Sequence, residues 1–287
     1  LVRNRLQSRV ADPDRADVMY EKFYGLDEPP FSLTPDPRFL YFSRRHREAY
    51  EHIVYGLTRR KGFIRITGEV GAGKSTICRA VLESLGGDYH TALILNPVMT
   101  GIQLLRSILQ ELGLNSRGND RIRLVERLNT FLLERAREDD DVVIIIDEAQ
   151  DMSDDLLEEV RLLSNLETDN RKLVQIVLIG QPELRTKLDQ PHLRQLRQRI
   201  TVRSHLGPID RAEVEPYIQH RLEVAGGNGL PTFSRWALRT IHRYSRGVPR
   251  LINAVCDTTL LAGYVEGRDH LRWREVRRAI RELEGGT

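Results

Sequence analysis

A glycine-rich segment contains the residue types best suited to bind phosphate. It consists of Gly68, Glu69, Val70, Gly71, Ala72, Gly73, Lys74, Ser75 and Thr76, which satisfy the spacing G-x-x-x-x-G-K-[ST]. The glycines permit a tight turn, whose N–H groups surround a phosphate together with the positive end of a following helix. Lys74 is expected to neutralise the β- and γ-phosphate oxygens, and the Ser75 hydroxyl to ligate Mg²⁺. The segment therefore predicts binding of a nucleotide, expected to be ATP, together with Mg²⁺.

An acidic pair follows the longest apolar run, residues 142–146. At the carboxyl end of a strand, Asp147 can hold Mg²⁺ through water, and Glu148 can polarise an attacking water as a general base. The alternative is that the pair only caps the turn that follows. Because a phosphate loop alone permits binding without turnover, the pair is what indicates hydrolysis.

Gln181 follows another predicted strand, at the sheet edge where ligands of such folds bind. Its amide could sense a γ-phosphate or position a water molecule. It could equally well cap a turn. Gln181 is therefore a candidate catalytic residue with a structural alternative.

Several arginines could reach a γ-phosphate, where a guanidinium neutralises developing charge. The candidates are Arg194, Arg197, Arg199 and Arg203 around the start of the last predicted strand, and Arg250 at the start of a later helix. For each of the first four, the alternative is a solvated position on the surface. For Arg250, the bend Gly247-Val248-Pro249 is expected to direct the side chain back toward the core.

The positions of these residues follow from an alternation of strands and helices. Strands are predicted at 63–67, 91–96, 142–147, 173–180 and 200–206, and helices at 43–60, 74–85, 101–112, 121–137, 153–166 and near 191–198. Continuously apolar strands separated by helices are typical of a parallel sheet that is covered on both faces. The predicted fold is an α/β P-loop domain with five parallel strands.

The remaining segments surround this core, residues 63–208. Four helices are predicted at 210–225, 234–244, 249–265 and 272–283, which make residues 209–287 a small helical lid. Residues 19–62 are predicted to form an ordered, proline-containing arm and a helix on the adenine side of the nucleotide site. Residues 1–18 are predicted to be a flexible leader, with Met19 a candidate start.

Composition narrows the class of protein. The net charge of +3 arises from 44 basic and 41 acidic side chains and does not by itself indicate a nucleic-acid partner. No stretch is long and apolar enough to span a bilayer, and residues 1–18 lack the apolar region of a signal peptide. Cys78 and Cys256 form no ligand spacing. A cytoplasmic protein is expected.

The order of these motifs resembles the AAA+ ATPases, and more narrowly the ExeA/GspA type of general secretion pathway ATPase, close to those that accompany PEP-CTERM and exosortase genes. The resemblance covers about residues 19–285. It rests on residues 19–26, 30–41, 68–76, 147–151, 180–184, 196–200 and 247–253.

The resemblance implies roles that the residues alone leave open. Residues 36–46 would approach the adenine, Gln181 would be sensor 1 and Arg250 sensor 2. Arg199 would be the better candidate for an arginine finger supplied to a neighbouring subunit. A homo-oligomer, either a ring or a helical assembly, is therefore expected, and isolated monomers would be nearly inactive.

The resemblance also suggests a partner in a secretion or exopolysaccharide-export machinery, with recruitment to the inner membrane by that partner left open. Because the sequence ends soon after the last predicted helix, the envelope-spanning role of longer relatives is not carried over. Two alternatives remain at this point. One is an ATP-dependent DNA-binding regulator of the transposition type, suggested by the AAA+ layout that transposition helper ATPases share and by the basic side chains of the lid and of residues 194–203. The other is a nucleotide-switched scaffold that hydrolyses slowly.

Overall fold

The computed structural model describes residues 19–34, 36–168 and 171–285, so the predicted leader lies outside the described residues. These residues form two compact units. The core unit comprises the described residues of 36–208, and the helical unit comprises residues 19–34 and 209–285. The predicted arm and adenine-side helix, residues 19–62, are thus divided between the two units.

The described residues contain twelve α-helices, seven in the core unit and five in the helical unit. They are α1 (Met19–Tyr24), α2 (Arg44–Thr58), α3 (Lys74–Leu85), α4 (Gly101–Glu111), α5 (Arg121–Arg137), α6 (Asp154–Leu163), α7 (Pro182–Leu188), α8 (Arg194–Arg199), α9 (Val214–Val224), α10 (Arg235–Ser245), α11 (Pro249–Val265) and α12 (Trp273–Leu283). Across the described ranges, none of them combines the length and apolarity that crossing a membrane requires.

The strands are β1 (Phe63–Gly68), β2 (Tyr89–Ile94), β3 (Asp141–Ile146), β4 (Glu167–Thr168), β5 (Arg171–Lys172), β6 (Gln175–Gly180), β7 (Ile200–Leu206), β8 (Thr232–Phe233) and β9 (His270–Leu271). Five of them form a parallel sheet in the order β2-β3-β6-β1-β7. This confirms the predicted α/β fold, and it places β6 between β1 and β3.

Alternating side chains along the strands fill two hydrophobic cores. In β3, Ile144 and Ile146 belong to the core that α4, α5 and α6 cover, whereas Val143 and Ile145 belong to the core that α2 and α3 cover. Successive side chains of a strand point to opposite faces, so both faces of the sheet are buried. The continuous apolar run in the sequence is explained by this double burial.

Some element ends differ from the predicted ones for local reasons. The second strand begins two residues earlier than predicted, because Tyr89 pairs with Asp141 at the start of the ladder. The helix predicted to reach residue 166 ends at Leu163, and the Ser164 hydroxyl donates a hydrogen bond to the Arg161 carbonyl there. The antiparallel pair β4–β5 follows, and its two-residue strands are too short to leave a periodic signal.

The helical unit contains a feature that the sequence pattern does not show. β8 and β9 pair in parallel through Thr232 with His270 and Phe233 with Leu271. α10 and α12 begin within two residues of these strands. The predicted helices of this region are therefore present, and two of them start side by side.

The N-terminal segment, residues 19–34, is ordered against the rest of the helical unit. The Tyr24 hydroxyl lies 3.1 Å from the Leu260 carbonyl, and the Arg221 Nε donates to the Pro30 carbonyl at 2.6 Å. Phe31 is only 1% exposed. Aromatic side chains thus hold a segment whose prolines preclude a long helix.

One buried amide in the core unit has no hydrogen-bond partner within the described ranges. Gln175, the first residue of β6, is 1% exposed, and neither its Oε1 nor its Nε2 is bonded. A buried polar group without a partner costs about 1–3 kcal/mol.

We expect Gln175→Met to stabilise the core unit, because the thioether fills a similar volume without burying an amide. Its melting temperature should rise by roughly 2–4 °C in differential scanning calorimetry. Gln195→Met on the exposed surface of α8 is the matched control and should change little. A lower melting temperature for Gln175→Met would show that the amide is satisfied.

Candidate functional site

The glycine-rich segment joins β1, which ends at Gly68, to α3, which begins at Lys74. Gly73 has a φ of +91°, and no side chain caps α3. The N–H groups of the first turn of α3 are therefore available to an anion. Glu69 and Val70 are exposed on the loop, Ala72 is buried, and Gly71 and Thr76 are half-buried.

Lys74 is folded against the loop that precedes it. Its ammonium donates hydrogen bonds to the carbonyl of Gly68 at 2.9 Å and to the carbonyl of Glu69 at 3.1 Å. Burial lowers the pKa of Lys74, while the nearby carboxylates of Glu148 and Asp147 oppose this shift. The loop thus concentrates positive charge at the carboxyl end of β1.

Ser75 and Asp147 join the ends of β1 and β3. The Ser75 hydroxyl donates to Asp147 Oδ2 at 2.5 Å. In the described part of the chain, no group of three or more His, Cys, Asp or Glu side chains could hold a metal. Mg²⁺ is typically bound by only one or two protein oxygens, with water and phosphate as its other ligands. The hydroxyl and carboxylate therefore fit Mg²⁺ better than a metal with an all-protein ligand set.

Glu148 adopts a backbone conformation that is rare for residues other than glycine, with a φ of +50°. Its N–H donates to Asp147 Oδ1 at 2.9 Å, which stabilises this turn at the end of β3. Left-handed backbone at such a residue is uncommon and is found disproportionately at functional sites. The turn directs Asp147 and Glu148 to different positions although they are adjacent in sequence.

Two amides hold the carboxylate of Glu148. Nε2 of Gln150 donates to Glu148 Oε2 at 2.7 Å, and Nε2 of Gln181 lies 3.3 Å from the same oxygen. The Gln181 N–H also donates to Gln150 Oε1 at 3.0 Å. A Cβ at Gly180 would lie 2.7 Å from that Oε1, so only glycine leaves room for this arrangement. Gln181 thus lies beside Glu148, as the order of the strands requires.

Sequence reasoning gave neither Gln150 nor His46 a role of its own. Gln150 lies within residues 147–151, on which the resemblance rests, and His46 lies within residues 36–46, which are expected to approach the adenine. His46 is 2% exposed, its Nε2 lies 3.1 Å from the Ala72 carbonyl, and its Nδ1 lies 2.6 Å from the Ser43 hydroxyl. The tautomer with the proton on Nε2 donates to Ala72 and accepts from Ser43. His46 therefore ties the first turn of α2 to the phosphate loop. A lone histidine in a helix gives no sequence signal of this contact.

The four arginines around the start of β7 have different surroundings. Arg194 is exposed, Arg197 pairs with Asp189 at 3.3 Å, and an Arg203 nitrogen donates to the Arg197 carbonyl. Arg199 is half-buried, and its guanidinium donates to the Ser164 hydroxyl at 2.5 Å.

Arg199 lies at the edge of the sheet opposite the phosphate loop of its own core unit. It immediately precedes Ile200, which pairs with Phe63 at the start of β1, whereas the loop follows Gly68 at the end of that strand. The separation along the strand is about 16 Å. The side chain therefore does not join Lys74 and Glu148 within one chain.

Arg250 is exposed in the first turn of α11, in the helical unit, after the predicted bend. Its N-terminal neighbour Pro249 is buried at the start of the helix. The proposed role of Arg250 as sensor 2 stays a prediction.

Solved structures with the same fold include the ORC2 protein of Aeropyrum pernix, with a TM-score of 0.65 and 18% identity over 91% of this chain and 72% of that chain. A second is Drosophila ORC bound to DNA, with a TM-score of 0.66 and 16% identity over 99% and 71%. A RuvB variant of Thermotoga maritima has a TM-score of 0.56 and 16% identity over 83% and 69%. At these identities the similarity establishes the fold alone.

Sequence comparison is more specific. Residues 57–188 match the family model described as an AAA domain. General secretion pathway protein A of Aeromonas hydrophila is 45% identical over 268 residues, which are 93% of this chain and 49% of that protein. The chain thus spans about half the length of this relative. The phosphate loop, the acidic pair and this identity along most of the sequence together show that the chain belongs to the ExeA/GspA family of AAA+ proteins.

Proposed function

We propose that the protein hydrolyses ATP to ADP and phosphate in a Mg²⁺-dependent reaction. The observation that carries this proposal is the meeting of three strand ends. Lys74 follows β1, Asp147 and Glu148 follow β3, and Gln181 follows β6 between them. The proposed cation, metal-binding oxygens and general base therefore lie at one edge of the sheet, where ligands of α/β folds bind.

Each side chain has a distinct part in this proposal. The α3 N-terminus and Lys74 bind the phosphates and neutralise their charge. Ser75 and Asp147 would hold Mg²⁺, which would supply further neutralisation of the phosphate oxygens. Glu148 accepts a proton from the attacking water, and the amides of Gln150 and Gln181 fix the position of its carboxylate.

Replacement of Lys74 and of Glu148 should separate binding from turnover. We expect Lys74→Ala to weaken ATP binding, because the buried ammonium is lost. Glu148→Gln should retain binding but lower kcat by about 10²–10⁴-fold, because an amide cannot accept the proton. Binding is measured with a fluorescent ATP analogue and turnover by phosphate release.

The matched control for these variants is Glu138→Gln, which removes one exposed carboxylate from the end of α5 in the same unit. It should behave like the unmodified protein in both assays. Equal phosphate release by the protein, Lys74→Ala and Glu148→Gln would reject the ATPase assignment.

Gln150 should act by positioning Glu148. We expect Gln150→Leu to lower kcat roughly tenfold with little change in KM for ATP, since Gln150 bonds Glu148 and the Gln181 backbone rather than the loop. Steady-state kinetics at several ATP concentrations provide the measurement. A raised KM with unchanged kcat would instead mean that Gln150 serves nucleotide binding.

We further propose that the active site is completed between subunits of a homo-oligomer, with Arg199 supplied by the neighbouring copy. Two observations support this. Arg199 lies at the opposite edge of the sheet from its own phosphate loop, and the residue is half-buried, with its guanidinium bonded to the Ser164 hydroxyl. An arginine supplied by a neighbour neutralises charge that develops on the transferred phosphoryl group.

A mixing experiment should reveal such a shared site. Arg199→Ala and Lys74→Ala should each be nearly inactive alone, and phosphate release should partly recover when the two are mixed. A subunit with intact Lys74 then meets a neighbour with intact Arg199. Arg194→Ala, which removes an exposed arginine of the same helix, is the control and should remain active alone. If the mixture stays inactive although it assembles, the shared site is rejected.

For the biological role, we propose that ATP turnover drives or regulates a secretion or exopolysaccharide-export machinery. The identity to a general secretion pathway protein supports this role. We expect the protein to act on the cytoplasmic side and to be recruited to the inner membrane. A DNA-binding regulator is the alternative and rests on the basic side chains of the helical unit and of residues 194–203. Tight, salt-sensitive oligonucleotide binding that depends on ATP would favour the alternative.

A further inference from the structure

The chain contains two tryptophans, and both are exposed in the helical unit. Trp236 is 63% exposed and Trp273 is 41% exposed. Burying an indole is strongly favourable, and exposed aromatic side chains are typical of surfaces that bind another molecule. Neither side chain belongs to the proposed nucleotide site.

The backbone places these tryptophans at the same end of two adjacent helices. Trp236 is the second residue of α10, and Trp273 is the first residue of α12. β8 and β9, which directly precede these helices, are paired in parallel. Neighbouring parallel strands lie about 4.8 Å apart, so the two helices start side by side.

Guanidinium groups lie over both indoles. The Cζ of Arg239 is 4.6 Å from the ring centroid of Trp236. The corresponding distances to Trp273 are 5.2 Å for Arg277 and 5.7 Å for Arg274. All three distances are within the range of cation–π contacts. With Arg281, one helical turn beyond Arg277, these residues define the indole–arginine face: Trp236, Arg239, Trp273, Arg274, Arg277 and Arg281.

This face carries positive charge that is not neutralised locally. Glu266 and Glu282 pair with Arg278, and Glu266 and Glu275 pair with Arg268. Over the described residues, no carboxylate lies within 4 Å of Arg239, Arg274, Arg277 or Arg281. The neighbouring acids are thus bonded to other arginines, and charge complementarity favours an anionic partner.

We propose that the indole–arginine face binds the surface of an anionic phospholipid bilayer. Guanidinium groups bind lipid phosphates, and indoles favour the boundary between headgroups and acyl chains. A single nucleic-acid strand would also supply phosphates, but its bases would need open indole faces for stacking. Here guanidinium groups already lie over the rings, an arrangement that suits the headgroup region. This binding does not depend on ATP hydrolysis.

Vesicle flotation and intrinsic fluorescence test the proposal together. The full chain is mixed with phosphatidylcholine vesicles that contain or lack phosphatidylglycerol. Because the protein has no tryptophan outside this face, its emission reports the face directly. We expect flotation and a blue shift of the emission with phosphatidylglycerol only, both weakened by salt.

A charge-matched pair of variants makes the test specific. Combined Arg274→Gln, Arg277→Gln and Arg281→Gln should weaken binding roughly 100-fold. Combined Arg106→Gln, Arg123→Gln and Arg137→Gln removes three exposed arginines from α4 and α5 of the core unit and should bind normally. Phosphate release by both triple variants should remain unchanged, which controls for folding.

Three outcomes would overturn the proposal. The first is an absence of binding to vesicles that contain phosphatidylglycerol. The second is equal weakening by the two triple variants, which would indicate only net charge. The third is tryptophan quenching by a single-stranded oligonucleotide without vesicle binding, which would assign the face to nucleic acid. The Glu148→Gln variant should lose ATPase activity and still bind these vesicles, because lipid binding does not use the nucleotide site.

Discussion

A parallel sheet that is buried on both faces leaves its strand ends as the places where polar side chains can gather, and the whole candidate site depends on this constraint. β3 is apolar from Val142 to Ile146 because helices cover both of its faces. The first polar side chain beyond its carboxyl end is Asp147. The same applies to β6, where Gly180 is followed by Gln181. Polar and charged side chains occur where a strand emerges from the buried core, because an unpaired charge inside the core is costly.

Strand order then decides which of these ends become neighbours. β6 lies between β1 and β3, so Gln181 lies between the phosphate loop and the acidic pair. The hydrogen bond from Ser75 to Asp147 links the phosphate loop to the acidic pair directly. Residues that are more than 70 positions apart in the sequence are thereby brought into contact. In the proposed reaction these residues act together, because phosphoryl transfer combines a cation, metal-binding oxygens and a base.

Backbone strain and buried charge are balanced locally around Glu148. Its left-handed conformation is compensated by a hydrogen bond to Asp147 and by the two amides that bind its carboxylate. Lys74 is buried, yet its ammonium is satisfied by two carbonyls of its own loop. Such compensation lets a site remain preorganised without destabilising the sheet that carries it. His46 extends this support by fixing the loop from the side of α2.

The sequence by itself determined the class of fold and the residues of the proposed nucleotide site. Lys74, Ser75, Asp147 and Glu148 are recognisable because their spacing is local, and the strands are recognisable because burial on both faces leaves long apolar runs. The predicted five-stranded α/β core is confirmed, and helix α5 and strand β7 have the predicted ends.

Only the tertiary structure decided the contacts between distant segments. No local signal in the sequence predicts the pairing of Gln150 with Gln181, the contact of His46 with Ala72 or the hydrogen bond from Arg199 to the Ser164 hydroxyl. The same holds for the two-residue strands β8 and β9, which place the starts of α10 and α12 side by side although these helices are far apart in the sequence. The physical reason is that periodicity and spacing report the burial of one element, whereas strand order and register depend on how all the elements pack together.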